Sequence, residues 1–547
     1  MLFSHKIPLP QPVTNTLLLE NSGAQKMSLN RRELLQGTAL AGAAVGLHQA
    51  VAGATGKHEI SRKPRTIYFN DARHYYLYVF EPPLSLVDAW RPVDEVAGTA
   101  VDTFVYGVAR GDGLFYPSKV GMRFASDMRP LTSAYAWRTW ENMQSLMDRG
   151  LDPLVVLIDR AHQKGMDFFA SLRMSSYGGM KKQHLIKEGG RGLAHQEVRD
   201  HQFQVLQELA TGYDVEGVEL DFAAAPGGMQ QLLLKEDVAE FTPVLTDYVE
   251  TISQMVRRRP GEPGQVGARV YPTEEMNRAH GLDVRTWLER GLVDYLVPML
   301  YINFTLDADM PMGWLVQAAH EHRVSVYGML MPFSGDEATG LPAPVHATPA
   351  QLRAAAANYW ARGVDGLYTW FMSWPLGDTE RGTLTELGDP DLIREADKHY
   401  IVHRRSEEAN KMGYQAHLPL EIPSANPDMS YTIPFSVADD VVGSRGRVQR
   451  VLLRMNIENL VSADRLGLRL NGESLNHEPC QRDFGSSISP YSGQWLEIEL
   501  IAIRPRQGRN RLEIALDGRP EGLEGGITVQ HVELLIEYGH YPAHLSE

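Results

Sequence analysis

The chain has 547 residues, of which 43% are hydrophobic, so we expect two or three domains with large cores rather than a disordered protein. Its formal net charge is −15 and no cluster of Lys and Arg is present, which argues against binding to nucleic acid. The single cysteine, Cys480, excludes an intrachain disulfide in any compartment.

The N-terminal region carries an export pattern. Arg31 and Arg32 directly precede the apolar run GTALAGAAVGL, and Ala-Val-Ala follows at positions 50–52. Paired arginines, an apolar run and an A-x-A cleavage site, in that order, are typical of a twin-arginine signal. We therefore expect residues 1–52 to be an N-terminal extension with this signal peptide, and the mature protein to be periplasmic or secreted. No later apolar run is long enough to span a bilayer, so stable membrane insertion of the mature protein is not expected.

Between residues 65 and 395, short β-rich runs alternate with helical patterns. The predicted strands are Tyr75–Phe80, Thr103–Tyr106, Phe168–Leu172, Val218–Phe222, Arg269–Tyr271, Tyr295–Leu300, Val324–Met329 and Leu367–Phe371. The predicted helices are Arg138–Arg149, Val155–Lys164, Gln196–Ala210, Val238–Arg258, Gly313–His322 and Pro349–Arg362, several of which end at a basic residue followed by Gly. Eight strand–helix units predict an α/β fold, a (β/α)8 TIM barrel that forms the catalytic domain. A doubly wound sheet is the alternative, but no G-x-G-x-x-G follows the first strand.

The C-terminal part of the chain changes period. Runs such as RVQRVLLRMNI and ITVQHVELLIEYG alternate apolar and polar residues, with Gly, Asn and Asp between the runs. This pattern predicts a C-terminal antiparallel β-sandwich over residues 413–547, joined to the barrel by a charged helix and linker at 396–412. We interpret the sandwich as a structural cap, with a carbohydrate-binding jelly roll as the alternative.

Two acids share one face of a predicted strand in the segment EGVELDF. Glu219 and Asp221 alternate with Val218, Leu220 and Phe222, so both carboxylates should face the barrel axis, with Asp221 nearer the mouth. Asp221 is the first choice for a catalytic carboxylate. Glu219 is either catalytic or part of a buried ion pair with Arg173.

Other predicted strand ends supply polar and aromatic residues. The candidates for substrate binding are Asp71, Arg110, Asp112, Arg173, Tyr301, Asn303, Trp370 and Trp374. Aromatic rings beside acids suit stacking on sugar rings, so these residues together predict a glycosidase cleft with a carbohydrate substrate. Glycoside hydrolysis requires two carboxyl groups, ~5–5.5 Å apart for retention or ~6.5–9.5 Å apart for inversion. Glu275 is the predicted partner of Asp221, with Asp112 in reserve.

Metal-dependent and nucleophilic alternatives find less support. No H-x-H follows an early strand, and the pairs His195/His201 and His320/His322 lack ligand spacing on one helix face. Neither G-x-S-x-G nor a P-loop occurs. We therefore expect no metal and no other cofactor.

Four segments carry a family resemblance: IYFNDAR (67–73), EPPLSLVDAWRPVDEVAGTAVDTFVYGVARGDGLFYPSKVG (81–121), EGVELDF (216–222) and HGLDVRTWLERGLVDYLVP (280–298). In these segments the chain resembles bacterial glycosyl-hydrolase-like proteins with a family-10-like TIM barrel, a mostly uncharacterised family. The resemblance implies a barrel of glycoside-hydrolase type.

The sequence departs from two glycosidase patterns, so we retain alternative functions. Retaining enzymes of the large barrel clan carry a Glu on strand seven, where this chain has VSVYGMLMP. The chitinase-like pattern D-G-x-D-x-D-x-E is similar to EGVELDFA, but Ala223 occupies the position of its catalytic Glu. An exported glycoside hydrolase is the preferred function. The alternatives are an inert carbohydrate-binding barrel and a polysaccharide lyase with Tyr301 as base and Arg110 or Arg173 neutralising a uronate.

Overall fold

Eight parallel strands close into a barrel in the computed structural model, which describes residues 65–71, 76–110, 113–175, 180–224, 232–301, 304–334, 345–370, 372–404, 407–483 and 493–539. The strands are β1 (Arg65–Asp71), β2 (Thr103–Gly107), β3 (Asp167–Arg173), β4 (Gly217–Asp221), β5 (Gln265–Val270), β6 (Tyr295–Pro298), β7 (Ser325–Leu330) and β8 (Gly366–Thr369). Each strand pairs with the next one along the chain, and β8 closes the barrel against β1. The predicted (β/α)8 barrel is confirmed. The predicted signal peptide lies outside the described residues.

Helices separate the strands, as a parallel barrel requires. They are α1 (Tyr76–Val79), α2 (Leu86–Asp94), α3 (Ala134–Met147), α4 (Pro153–Gln163), α5 (Gln196–Gly212), α6 (Val238–Arg257), α7 (Glu274–Ala279), α8 (Val284–Glu289), α9 (Gly313–Glu321), α10 (Pro349–Ala361), α11 (Asp378–Leu387), α12 (Pro390–Ile393) and α13 (Glu407–Lys411). The predicted helix ends, a basic residue followed by Gly, are present after α3 and α10. Gly150 and Gly363 have φ of 74° and 85° there, a backbone conformation that a residue with a side chain adopts at a cost. Among the described residues, no helix has both the length and the apolar composition needed to cross a bilayer.

The first predicted strand is wrong. Tyr75–Phe80 was expected to be extended, but Tyr76–Val79 forms α1, and the first strand is the earlier segment Arg65–Asp71. A barrel strand must pair on both edges and be covered on both faces. The segment RTIYFND meets this condition between β8 and β2, whereas Val79 of α1 is exposed. The aromatic composition of YYLYVF indicated β-propensity, and tertiary packing overrode it.

The C-terminal part is the predicted antiparallel sandwich. Its strands are β9 (Lys398–Ile401), β10 (Leu420–Ile422), β11 (Tyr431–Val437), β12 (Val448–Glu458), β13 (Arg465–Leu470), β14 (Glu473–Ser474), β15 (Cys480–Asp483), β16 (Gln494–Glu499), β17 (Gly508–Gly518) and β18 (Ile527–Tyr538). One sheet has the order β9-β18-β12-β16-β15 with β10 beside β18, and the other has the order β11-β17-β13-β14. The strand β9 lies within the predicted linker. Asn358 of α10 donates hydrogen bonds to the carbonyls of Ala308 in the barrel and Ser436 in the sandwich, so a buried amide joins the two parts.

A glycine inside the barrel makes room for a large aromatic side chain. A Cβ atom at Gly267 of β5 would lie 1.9 Å from the ring of Tyr295 on β6. The tyrosine therefore passes over β5, and its hydroxyl donates to Glu219 Oε2 on β4 at 3.1 Å. The missing side chain at Gly267 is thus a condition for the polar contacts inside the barrel.

Replacing this glycine should destabilise the barrel. We expect Gly267→Ala to lower the free energy of unfolding by about 1–3 kcal/mol, because the buried Tyr295 ring has to move. Gly382→Ala in α11 is the matched control, since its Cβ would meet no atom within 4 Å and an alanine in a helix is favoured by roughly 0.5–1 kcal/mol. Urea denaturation measures both, and equal stability of the two variants would contradict this account of Gly267.

Candidate active site

Three charged residues meet at the mouth of the barrel. Asp71, Arg173 and Asp221 are the last residues of β1, β3 and β4, and all three are buried. Arg173 Nη2 lies 3.7 Å from Asp71 Oδ2, and Arg173 Nε lies 3.9 Å from Asp221 Oδ2. One guanidinium therefore lies between two carboxylates at the C-terminal ends of the strands, where active sites of such barrels are found.

A second arginine holds the carboxylate one layer below. Arg269 of β5 and Glu219 of β4 are both 0% exposed, and Arg269 Nε lies 2.8 Å from Glu219 Oε1. Ser171 Oγ and the hydroxyls of Tyr295 and Tyr368 also donate to the Glu219 carboxylate, at 2.8, 3.1 and 3.1 Å. Both oxygens of the buried Glu219 carboxylate thus accept hydrogen bonds, which favours the ion-pair role over the catalytic one.

The expected partner of Glu219 was wrong. The sequence suggested Arg173, but Arg173 lies opposite Asp221 in the β3–β4 register, and Ser171 lies opposite Glu219. On the other side of β4, Arg269 also lies opposite Asp221, and its long side chain reaches down to Glu219. The two arginines flank one strand, and only the direction of each side chain decides which carboxylate it pairs with.

Arg269 and Tyr295 keep their protons in this polar network. Burial is the largest single effect and lowers the pKa of Arg269, but the interactions with Glu219, Tyr368 and Asp221 together outweigh it, so the net pKa is raised. Burial, followed by the charge of Glu219, raises the pKa of Tyr295 well above its usual value. The guanidinium therefore stays charged and the tyrosine hydroxyl stays a donor, so neither partner of Glu219 loses its proton near neutral pH.

Arg269 connects the two layers. Its Nη1 lies 3.4 Å from Asp221 Oδ2, while its Cζ lies 3.8 Å from the centroid of the Phe69 ring. Asp221 Oδ1 accepts the N–H of Ala224 at 3.0 Å. Asp221 is therefore oriented by two arginines and one backbone amide, which fixes its carboxylate at the mouth.

Tyr301 lies above this group. The Arg173 guanidinium is 5.7 Å from the centroid of its ring. Burial raises the pKa of Tyr301; Arg173 and Arg110 oppose the shift, and Asp71 and Asp221 add to it. The net effect holds the phenol in its protonated form.

The two predicted tryptophans do not form an exposed platform. Trp370 is 1% exposed, because its ring packs on Phe69 and Phe304 at centroid distances of 4.6 and 5.3 Å. In this structure it supports Arg269, 5.0 Å away, rather than presenting a face to a sugar. Trp374 is half-buried, and its Nε1 donates to Glu95 Oε2 at 3.1 Å. Burial raises the pKa of Glu95 to about 7, against the opposing hydrogen bond from Trp374.

The remaining candidates are separate or lie outside the described residues. Glu275 is exposed in the first turn of α7, and among the described contacts none joins it to Asp221. Its neighbour Glu274 is engaged by Arg278 and Arg285. Asp112 and Asn303 lie outside the described residues.

The sequence missed the residues that build the inner layer, namely Ser171, Arg269, Tyr295 and Tyr368. A signal for Arg269 was available. The predicted strand began at Arg269, but β5 begins at Gln265, so the arginine is the fifth of six strand residues and is in phase with Gly267 on the axis-facing side. An arginine in the middle of the apolar run VGARV was the missed indication.

Arg173 also argues against a metal between the two mouth carboxylates. A divalent cation held by Asp71 and Asp221 would occupy the space that the guanidinium fills. Two carboxylates bridged by arginine suit proton transfer or nucleophilic chemistry on a bound substrate instead.

No protein-family model matches the sequence, and no curated protein matches it. Among solved structures, the chain is similar to a cycloisomaltooligosaccharide glucanotransferase from Paenibacillus sp., with 10% identity over 86% of this chain and 57% of that chain and a TM-score of 0.33. It is also similar to α-L-fucosidase isoenzyme 2 from Paenibacillus thiaminolyticus, with 15% identity, 61% and 50% coverage and a TM-score of 0.40. The PgaB (BpsB) glycoside hydrolase domain from Bordetella bronchiseptica gives 14% identity, 60% and 99% coverage and a TM-score of 0.37.

These neighbours are enzymes that act on glycosides. The chain spans only 57% and 50% of the first two of them. Structural similarity at TM-scores this low supports no conclusion about activity, so the functional conclusion depends on the residues of the site.

The inner ion pair can be tested by double-mutant cycles. Glu219→Gln and Arg269→Met should each lower the free energy of unfolding by about 3–5 kcal/mol, because each leaves a buried charge without its partner. The double variant should recover part of the loss. Arg173→Met is the matched control and should show weaker coupling to Glu219→Gln in urea denaturation. Equal or stronger coupling between Glu219 and Arg173 would contradict the assigned pair.

Proposed function

We propose that the chain is a glycoside hydrolase that cleaves a poly- or oligosaccharide with Asp221 and Asp71 as its carboxyl pair. The observation that carries this proposal is the bridge formed by Arg173, which contacts both carboxylates. Because its Nε and Nη2 atoms belong to one rigid guanidinium, the contacting oxygens are separated by less than about 10 Å. That limit is compatible with both the ~5–5.5 Å and the ~6.5–9.5 Å separations of glycosidases.

Asp71 is better supported than Glu275 as the partner of Asp221. Asp71 ends β1 and shares an arginine with Asp221, whereas Glu275 is exposed on α7. In this proposal the second carboxylate comes from β1, so strand seven needs no acid. The sequence resemblance to glycosyl-hydrolase-like proteins with a family-10-like barrel supports the same class of activity.

In this proposal the residues at the barrel mouth have different roles. Asp221, held by two arginines and the Ala224 amide, acts as nucleophile or base. Asp71 provides the second carboxyl group. Arg173 offsets the repulsion between the two carboxylates, and Arg110 and Tyr301 contact the sugar.

The protonation state of Tyr301 argues against a lyase. A lyase that uses this tyrosine as its base needs a phenolate, and a neighbouring arginine normally favours one. Here burial raises the pKa of Tyr301 in spite of Arg173 and Arg110. The protonated phenol suits a hydrogen-bond donor to a sugar oxygen, as a hydrolase would use it.

A screen of glycans with matched variants tests the pair. Asp221→Asn and Asp71→Asn should each lower hydrolysis by about 10²–10⁴-fold, as expected for loss of an acid–base group, with the fold retained. Glu275→Gln is the control: it should keep activity if Asp71 is the partner and lose it if Glu275 is.

The products separate the three classes of function. New reducing ends identify a hydrolase, and unsaturated ends that absorb in the ultraviolet identify a lyase. Binding of a glycan without either product would support the inert barrel and contradict the proposal. If the unchanged enzyme retains anomeric configuration, rescue of Asp221→Ala by azide with a glycosyl azide of inverted configuration would identify Asp221 as the nucleophile.

We also propose that the protein is exported, folded, through the twin-arginine pathway, with the mature chain beginning near residue 53. Arg31 and Arg32 before the apolar run support this proposal. Replacing both with Lys should leave the precursor inside the cell, as measured by fractionation and immunoblotting. The unchanged protein is the control, and normal export of the double variant would contradict the proposal.

A further inference from the structure

A group of two histidines and one glutamate lies in the loop between β3 and α5. His184 ends the 3₁₀ turn Lys182–His184, and His195 directly precedes α5, which carries Glu197 in its first turn. Each residue offers one ligand atom, and these atoms lie within 4.8 Å of one another. The two imidazole rings are stacked, with centroids 4.4 Å apart. Three residues of one loop and the adjoining helix start thus converge on one point.

We propose that His184, His195 and Glu197 bind a divalent metal ion, with Zn²⁺ as the expected ion, that fastens the loop between β3 and α5. Two imidazoles and a carboxylate form a donor set that zinc uses with a water or another ligand in the fourth position. This site shares no residue with the mouth group, so it does not depend on the proposed hydrolase activity.

Among the described residues, these three side chains have few competing partners. The His184 ring is 8% exposed and makes no hydrogen bond to another described residue, and within the same part of the chain no Lys or Arg forms a salt bridge with Glu197. His195 Nε2 accepts the backbone N–H of Arg191 at 3.2 Å, a long bond that a metal at Nε2 would replace. The guanidinium of Arg191 is engaged elsewhere, in a paired contact with Asp237 at 2.9 and 2.5 Å.

The environment favours ligation over protonation. Two stacked imidazoles repel each other when both are charged. A metal ion binds neutral imidazoles, so its binding removes this repulsion between the stacked rings. Lys181 and Arg191 are the cations that act on Glu197 and His195, while Asp237 acts on His195 with the opposite sign. A bound cation would neutralise the Glu197 carboxylate.

The required movement is small. Zinc–ligand bonds of ~2.0–2.2 Å place neighbouring donor atoms roughly 3.3 Å apart, so side chains now within 4.8 Å need to close by about 1.5 Å or less. Glu197 is exposed, and its rotation alone supplies part of this movement.

The location indicates a structural ion. The loop follows Arg173, the last residue of β3, and Gln202 of α5 donates to the carbonyl of Met174 at 3.0 Å. A metal joining His184 to the start of α5 would close the loop at its other end. We therefore expect the ion to stabilise the rim of the barrel rather than to take part in sugar chemistry.

Metal titration of the untagged, chelator-treated protein tests the site. Calorimetry with Zn²⁺ should give one ion per chain and a raised melting temperature. His184→Ala and Glu197→Gln should each weaken Zn²⁺ binding by about 100-fold or more, beyond the 10–100-fold typical of residues behind the ligands. Glu188→Gln, an exposed acid of the same loop, and His322→Ala, an exposed histidine elsewhere, should bind Zn²⁺ like the unchanged protein.

Two results would overturn the proposal. One is the absence of stoichiometric Zn²⁺ binding, and the other is binding that survives both His184→Ala and Glu197→Gln. Because Glu197 is exposed, its variant remains informative if the buried His184→Ala variant does not fold. Co²⁺ provides an independent readout, since a tetrahedral site with histidine ligands gives visible absorption that Glu197→Gln should change.

Discussion

The ion pair between Glu219 and Arg269 is the constraint on which the rest of the barrel depends. Both side chains are completely buried, and removing two charges from water costs several kcal/mol per ion unless close pairing and additional hydrogen bonds offset it. The barrel provides these bonds from Ser171, Tyr295 and Tyr368. A layer that branched apolar residues normally fill is therefore polar, and each residue in it has a fixed position.

The same pair links the core to the mouth. Arg269 contacts Glu219 with Nε and Asp221 with Nη1, so the position of the mouth carboxylate follows from the packing below it. Arg173 then balances Asp221 from the other side and extends the chain of charges to Asp71. Because these groups come from four strands of one closed barrel, β1, β3, β4 and β5, the barrel backbone sets their positions.

Aromatic side chains pack against the guanidinium groups of Arg269 and Arg173. Phe69, Trp370 and Tyr368 lie within 5.2 Å of the Arg269 guanidinium, and Tyr301 lies over Arg173. Flat rings above a guanidinium keep water out and preserve a favourable contact with the charge. The aromatic residues that the sequence suggested as a sugar platform thus divide their roles: Trp370 packs the floor of the site, and Tyr301 remains at its mouth.

Sequence alone determined the features that depend on local period. Alternation in VELDF places Glu219 and Asp221 on one face, the regular spacing of strands and helices predicts the barrel, and the period-two runs predict the sandwich. Only the tertiary structure decided which charges meet, since Arg269 and Arg173 lie at the same level beside β4 and side-chain direction alone assigns them to Glu219 or Asp221. The place of β1 and the meeting of Asp71 with Arg173 likewise depend on closure of the barrel, which brings together strands far apart in the chain and leaves no trace in any local pattern.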